Sequence, residues 1–265
     1  MNPAPALAAV VYRGFRPVEG KILSAAVLLT NLGWQVSIAC EIDRVVIHPA
    51  GAVGIDRGVT VPLMLSDGQS FTLPASVGKL AMQINAARRK ASRRKRNSKR
   101  QSIAKAHVAR LAARQARIRK DWAHRATTAI ARQYGTVVVE KLRTKNMTAS
   151  ASGTIDAPGK NVAQKRGLNR AILNVGWHQI EAMLAYKAGR LIRVNPAYTS
   201  QTCQSCGTVD SKSRKNQSAF CCTACGFADN ADRNAAVAIL NRGNIAGMEE
   251  RHLGLSVEVR TRIAA

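Results

Sequence analysis

Two Cys-x-x-Cys pairs, Cys203-Gln-Ser-Cys206 and Cys222-Thr-Ala-Cys225, stand 15 residues apart in the last third of this 265-residue chain. Two sulfurs on each tight turn can close a tetrahedron, so the spacing predicts a four-thiolate zinc ribbon. Gly207 and Gly226 follow the second cysteine of each pair, where such a turn often needs positive φ. Disulfides are the alternative, and they need an oxidising compartment that nothing else in the sequence supports. Cys221 is a spare that could pair with Cys225 at a different spacing, but Cys222 gives the commoner two-residue gap. Cys40, in an apolar strand-like run, reads as a buried small hydrophobe.

The charge balance narrows the partner. Lys and Arg number 41 against 15 Asp and Glu, a formal net charge of +26. That exceeds what solubility needs and points to a polyanion, nucleic acid ahead of a membrane surface. Residues 88–120 contain no acid, and Arg88, Arg89, Lys90, Arg93, Arg94, Lys95, Arg96, Lys99 and Arg100 are their densest cluster. Ile103, Val108, Leu111, Ile118 and Trp122 form an apolar stripe at helical spacing. One face can dock on a core while the others present cations. Like charges at i,i+4 repel, so the helix is best explained by a polyanion lying against it. A continuous helix over 88–120 would be roughly 50 Å long, with Asn97-Ser98 as the place where it could break. The first residues lack a basic region of the signal-peptide kind, and the apolar run 22–29 is too short to span a bilayer. A cytoplasmic protein without membrane partners is expected.

Turn residues Gly14, Pro17 and Gly20 open the chain. Strands are expected at 22–29 and 34–42, around an Asn31-Leu-Gly33 turn. The second alternates apolar and polar, as a half-buried strand does, with Glu41 and Asp43 at its solvated end. Further strands are expected at 52–56, 59–65 and 69–73, punctuated by Gly58 and Asp67-Gly68. Others follow at 136–140 and 190–194. Residues 76–132 are helical in pattern, and 148–166 read as a loop. An amphipathic helix over 168–188 carries Leu168, Ile172, Val175, Ile180, Met183 and Leu184 near one face. His178, within it, reads as a packed or surface residue. A last helix, 232–240, offers Ala235, Ala236, Ile239 and Leu240 for close packing. Residues 243–265 carry no legible motif.

Three of the rare acids have related settings. Asp56 sits inside an apolar strand, where an unpaired carboxylate is costly unless it meets a partner such as a metal; capping of the Arg57-Gly58 turn is the alternative. Glu140 ends a β-branched strand, and Asp232 opens a helix. An α/β core of the RNase H-like type supplies carboxylates in that order. Hard oxygen ligands suit Mg²⁺ or Mn²⁺, and two such ions about 4 Å apart serve phosphodiester cleavage. Spacing alone does not establish that the three converge, and Asp229 competes with Asp232.

Five segments carry a closer resemblance: Gly54-Ile-Asp56-Arg-Gly-Val, Val138-Val-Glu140-Lys-Leu, Tyr198-Thr-Ser-Gln-Thr-Cys-Gln-Ser-Cys-Gly, Phe220-Cys-Cys-Thr-Ala-Cys-Gly and Asn230-Ala-Asp232-Arg-Asn234-Ala-Ala. In this order they resemble the TnpB (OrfB) family of transposon-encoded, RNA-guided DNA endonucleases, relatives of type V CRISPR effectors. The resemblance implies a RuvC-like nuclease in three segments with a zinc-bearing insertion before the third. It implies that Asp56, Glu140 and Asp232 are catalytic, that Cys203, Cys206, Cys222 and Cys225 hold zinc, and that the partners are target DNA and a guide RNA from the transposon end. It prefers Asp232 to Asp229 by motif position. The expected division is a wedge-barrel remnant at 1–50, core segments at 51–75, 133–199 and 229–245, a basic helical segment at 76–132, the ribbon at 200–228 and a tail at 246–265. One departure stands out. The family carries a long region before its first catalytic Asp, whereas 55 residues precede Asp56 here. That keeps two other readings open, a truncated RNA- or DNA-binding module that does not cut and a DNA-joining transposase.

Overall fold

The computed structural model describes residues 18–42 and 47–252, which belong to two compact units. The turn residues Gly14 and Pro17, Asp43 and the tail from 253 onward lie outside the described residues. The smaller unit is an antiparallel hairpin of β1 (Lys21–Thr30) and β2 (Gly33–Glu41). Cys40 is buried as expected. The half-buried reading of β2 fails at Trp34, which is 71% exposed. It pairs with Leu29, itself 67% exposed, so the cross-strand contact alone does not bury the ring.

The larger unit is built on one sheet of β3 (Ala52–Asp56), β4 (Leu63–Leu65), β5 (Ser70–Phe71), β6 (Thr136–Glu140) and β7 (Arg190–Val194). The spatial order is β5-β4-β3-β6-β7. Strands β3, β6 and β7 run parallel, and β4 and β5 form an antiparallel edge. Parallel strands are covered on both faces, and the run Thr-Val-Val-Val suits that burial. Both edge strands are shorter than the expected 59–65 and 69–73. Gly58 N–H donates to the Val61 carbonyl across a tight turn, and Pro62 has no N–H for a ladder.

Between β5 and β6 the chain makes α1 (Ala75–Ser92) and α2 (Lys99–Gln133). The basic stretch over 88–120 is therefore two helices, broken at the Asn97-Ser98 position that the sequence offered. Ser98 Oγ accepts from Gln101 N at 3.2 Å, while the Gln101 side chain accepts from Asn97 N at 3.1 Å. This reciprocal cap starts a new helix, and Asn97 takes the left-handed φ of 61° that turns the chain. Gln115 of α2 donates to the Val77 carbonyl of α1 at 2.9 Å, so the helices fold back antiparallel. The apolar stripe survives in part: Trp122 is buried, but Ile103 is 63% exposed.

After β6 come the short α3 (Thr144–Met147), α4 (Val162–Val175) and α5 (Trp177–Lys187). The expected loop thus ends at 161, and the helix expected over 168–188 is two helices. Gly176, with φ 77°, ends one and starts the next. Ile172, Val175, Ile180, Met183 and Leu184 are buried as their spacing predicted, whereas Leu168 is 47% exposed. These helices and α2 cover one face of the sheet, packing on Val53, Ile55, Val137 and Val139. Between β7 and the last helix lies a small hairpin, β8 (Ala219–Cys221) with β9 (Ala228–Asn230). Helix α6 (Ala231–His252), longer than expected, covers the other face with Val138, Val194 and Ile239 in contact.

Gly54 explains how closely α6 lies. A Cβ there would run into the Ala236 carbonyl and stand 2.7 Å from Leu240 N. Gly54→Ala is therefore expected to push α6 off β3 and to destabilise the protein by about 1–3 kcal/mol. Urea unfolding within about 0.5 kcal/mol of wild type would show that the contact is slack.

Candidate functional site

Residues Ile55 and Val139 pair across the parallel strands, so Asp56 and Glu140 follow side by side at their carboxyl ends. In open parallel sheets that edge is where ligands bind. Strand alternation puts Asp56 on the face of Gly54, and Glu140 on the face of Val138, which is the face covered by α6. Asp232 lies one helical turn before Ala236, the residue over Gly54. One helical turn and two strand residues advance by about 5–7 Å, so Asp232 arrives beside Asp56.

The electrostatics agree. Asp56 is pushed up to about 7, first by burial and then by the charges of Glu140 and Asp232. Glu140 is also raised by burial, against the lowering effects of a Thr199 hydrogen bond and of Arg57 and Arg242. Thr199, itself buried, donates its hydroxyl to Glu140 Oε1. Arg214, in the loop between the cysteine pairs, donates to Asp232 Oδ1 at 3.3 Å and also lowers Asp56. Asp229 is bound elsewhere: it accepts from Gln204 Nε2 at 2.7 Å and pairs with Arg233. The carboxylates do not close on one another as ligand atoms would around one ion. Among the described residues, only the four cysteines bring three or more such groups within 4.8 Å of one another.

Those cysteines have the spacing of a metal site. Cys203 and Cys225 Sγ are 3.8 Å apart, and Cys206 and Cys222 Sγ are 3.6 Å apart. A tetrahedron with metal–sulfur bonds of about 2.3 Å has edges of about 3.8 Å, whereas a disulfide would need about 2.05 Å. Gly207 and Gly226 take φ of 76° and 71° and donate back to the Cys203 and Cys222 carbonyls, so each knuckle turns where the sequence required. Cys221 sits on β8 outside the set.

The motif around Asp232 resolves into three roles. Asn230 Oδ1 accepts from the backbone N–H of Asp232 and Arg233, capping α6. Asp232 faces Asp56. Asn234, fully buried, accepts from Gln204 N at 3.0 Å and donates to the Thr202 carbonyl at 2.8 Å. It thereby clamps the first knuckle to the helix that carries Asp232. Arg242 adds a second clamp on the Asn195 and Ala197 carbonyls. Sequence reasoning missed Thr199, Arg214, Asn234 and Arg242. The position of Asn230 before a helix was a signal that could have been used; Arg214 had none.

The nine cluster cations surround the turn of the α1–α2 hairpin: Arg88, Arg89 and Lys90 end α1, Arg93, Arg94, Lys95 and Arg96 lie at or in the connection, and Lys99 and Arg100 begin α2. All nine are exposed, and among the described residues none has a carboxylate partner. A groove between the helices has Lys90, Arg94, Arg100 and His107 around an alanine-rich floor with Ile103 and Leu111. No described helix is long and apolar enough to cross a membrane.

The OrfB/IS605 family, described as "Probable transposase", matches residues 35–151, which include Asp56 and Glu140. The family described as "Cas12f1-like, TNB domain" matches residues 177–239, which include the four cysteines and Asp232. The two matches follow one another, 25 residues apart, in the order that the five motifs require. Over residues 35–151 the chain matches the OrfB (TnpB) family. A relative from Escherichia coli (strain K12), "Putative RNA-guided DNA endonuclease InsQ", is 38% identical over 246 residues, covering 91% of this chain and 61% of its own length. A "Putative RNA-guided DNA endonuclease" from Streptomyces pristinaespiralis is 34% identical over 217 residues, covering 79% of this chain and 50% of its own. "CRISPR-associated endodeoxyribonuclease Cas12f1" from Sulfoacidibacillus thermotolerans is 40% identical over 72 residues, covering 26% of this chain and 17% of its own. The chain thus spans between half and two thirds of the length of the first two.

The raised Asp56 has a sign that can be checked. Its native value lies above the ordinary 3.8, so ionising it costs stability. The cost is absent when both states are protonated, grows as pH rises from about 4 to 7, and is complete above 7. In magnesium-free buffer Asp56→Asn is expected to gain, relative to wild type, on the order of 2–4 kcal/mol between pH 4 and pH 8. A difference in unfolding free energy that is flat across that range would show that Asp56 is solvated.

Proposed function

We propose that this chain is the nuclease part of a transposon-associated, RNA-guided DNA endonuclease: a metal-dependent endodeoxyribonuclease that hydrolyses DNA phosphodiester bonds. The observation that carries the reading is the meeting of Asp56, Glu140 and Asp232 at one sheet edge, with Asp56 held near pH 7 by burial and by the other two. One buried and two half-buried carboxylates at one strand edge offer the hard oxygen donors that a divalent-metal site requires. The strand order and the helix across β3 support an RNase H-like, RuvC-like core in which core segments 51–75, 133–199 and 229–245 come together around an inserted ribbon. By the sequence resemblance 1–50 is assigned to the end of a wedge barrel, and 76–132 is the basic arm.

In this reading Asp56, Glu140 and Asp232 hold two Mg²⁺ or Mn²⁺ ions, which when bound supply an activated water and stabilise the leaving oxygen. The chain's own part is to orient and to release. Thr199 fixes Glu140, and the capped first turn of α6 fixes Asp232. Arg214 must leave Asp232 before a cation can take its place, which frees a guanidinium for a phosphate. The four cysteines hold a structural zinc. The nine hairpin cations take backbone phosphates of a guide RNA from the transposon end, or of target DNA, without reading sequence. A module that binds but does not cut is the second reading, favoured by Arg214 standing on Asp232 in this structure.

Plasmid cleavage with co-expressed RNA tests the assignment. Asp56→Ala, Glu140→Ala and Asp232→Ala should each lower cutting by at least about 10²-fold, and the triple variant should lose no more than one of them, since the three act as a unit. Asp229→Ala should retain most activity, and RNA retention should survive in all. Equal cutting by wild type and Asp56→Ala would refute the assignment; retained RNA with no cutting by any protein would put the binding module ahead.

Metal content tests the ribbon. One zinc per chain is expected, and Cys206→Ala should lose it together with the fold of the knuckles, because a closed thiolate site contributes folding free energy directly. Protein that is folded and free of zinc would contradict this.

A further inference from the structure

Arg57 follows Asp56 and, by strand alternation, leaves β3 on the opposite side from it. Its side chain is 1% exposed, which is unusual for a cation unless it is paired. One guanidinium nitrogen donates to the backbone carbonyl of Glu140, and the other donates to Glu181 Oε2 at 2.8 Å. The same Glu140 carbonyl accepts from Leu142 N at 3.0 Å, so the chain is held as it leaves β6. Glu181, on α5, accepts a second bond at Oε1 from Arg193 Nε at 2.6 Å. Arg193 lies on β7 opposite Val139 of β6. Burial alone would raise Glu181, but bonds from Arg193 and Arg57 hold it below the usual range. One carboxylate of α5 therefore ties the ends of β3, β6 and β7 into one rigid edge, with the reading side of that edge left to Asp56 and Glu140.

We infer that Arg57 and Glu181 are positioning residues that set the separation of Asp56 and Glu140 on the opposite side of the sheet, and so tune the affinity of the carboxylate group for its divalent ions. This inference rests on the two-metal reading above. It differs from a general stabilising role because the bonded atom is the Glu140 carbonyl, one residue's length from the ligand carboxylate. A purely structural ion pair would change how much protein folds. A positioning pair changes what the folded protein does with metal.

The test measures Mn²⁺ binding by electron paramagnetic resonance, with zinc retained, alongside the Mg²⁺ concentration that half-saturates cleavage by RNA-loaded protein. Glu181→Gln keeps an acceptor and drops the charge; Arg57→Lys keeps the charge and drops the two-pronged geometry. Both are expected to weaken Mn²⁺ binding and raise the half-saturating Mg²⁺ by about tenfold or more, with most of the cleavage rate recovered at high Mg²⁺. Folded Glu181→Gln and Arg57→Lys proteins that bind Mn²⁺ as wild type does would overturn the inference, even if they unfold at lower urea. Asp56→Asn separates the layers. If wild type binds Mn²⁺ and Asp56→Asn does not, the metal reading stands and the Arg57 variants decide this one. If Asp56→Asn leaves binding unchanged, the metal reading fails and takes the inference with it.

Discussion

Helix α6 crosses β3 with no side chain between them at Gly54, and the candidate site depends on that approach. Any Cβ there would collide with the Ala236 carbonyl and crowd Leu240 N. Because α6 lies this close, its first turn stands over the end of β3, and Asp232 faces Asp56 rather than solvent. Gly243 does the same against Val138, whose methyls would stand 2.5 Å from a Cβ. Two glycines, one on the strand and one on the helix, thus let a helix end and two strand ends meet. The electrostatic cost of that meeting falls on Asp56, the most perturbed carboxylate of the three.

The cysteine ribbon is attached to the same helix end. Asn230 caps α6, Asn234 binds the first knuckle, and Arg214 reaches Asp232 from between the knuckles. Folding of the ribbon therefore orders the loop that carries Arg214 and the backbone that Asn234 clamps. The sequence places the ribbon directly before α6, and the structure gives that order a physical reason: the ribbon supplies side chains to the carboxylates and accepts the helix's buried amide.

Much of this was legible in the residues. The knuckle spacing, the glycines after each pair and the β-branched run of β6 each have a local cause that the structure repeats. Long-range causes were hidden. Asn97-Ser98 was legible as a break, but not the fold-back of α2 on α1, which rests on contacts such as Gln115 with the Val77 carbonyl. Leu168 shares the period of its buried neighbours yet is exposed, one turn before Ile172 on the N-terminal half of α4. Trp34 alternates correctly, yet its cross-strand partner Leu29 is itself exposed. Arg57 and Arg214 look like two of many cations. Only tertiary contacts distinguish the buried Arg57 bound to Glu140 and Glu181, or the Arg214 that reaches Asp232, from the exposed hairpin cluster.

The central claim is that three carboxylates from two strands and a helix form one divalent-metal site. Anomalous diffraction from crystals soaked in Mn²⁺ addresses it directly. The account predicts two peaks bounded by Asp56, Glu140 and Asp232, about 4 Å apart, with the Arg214 guanidinium withdrawn from Asp232. Saturating Mn²⁺ that leaves no peak among these carboxylates, with Arg214 still bonded to Asp232, would contradict it.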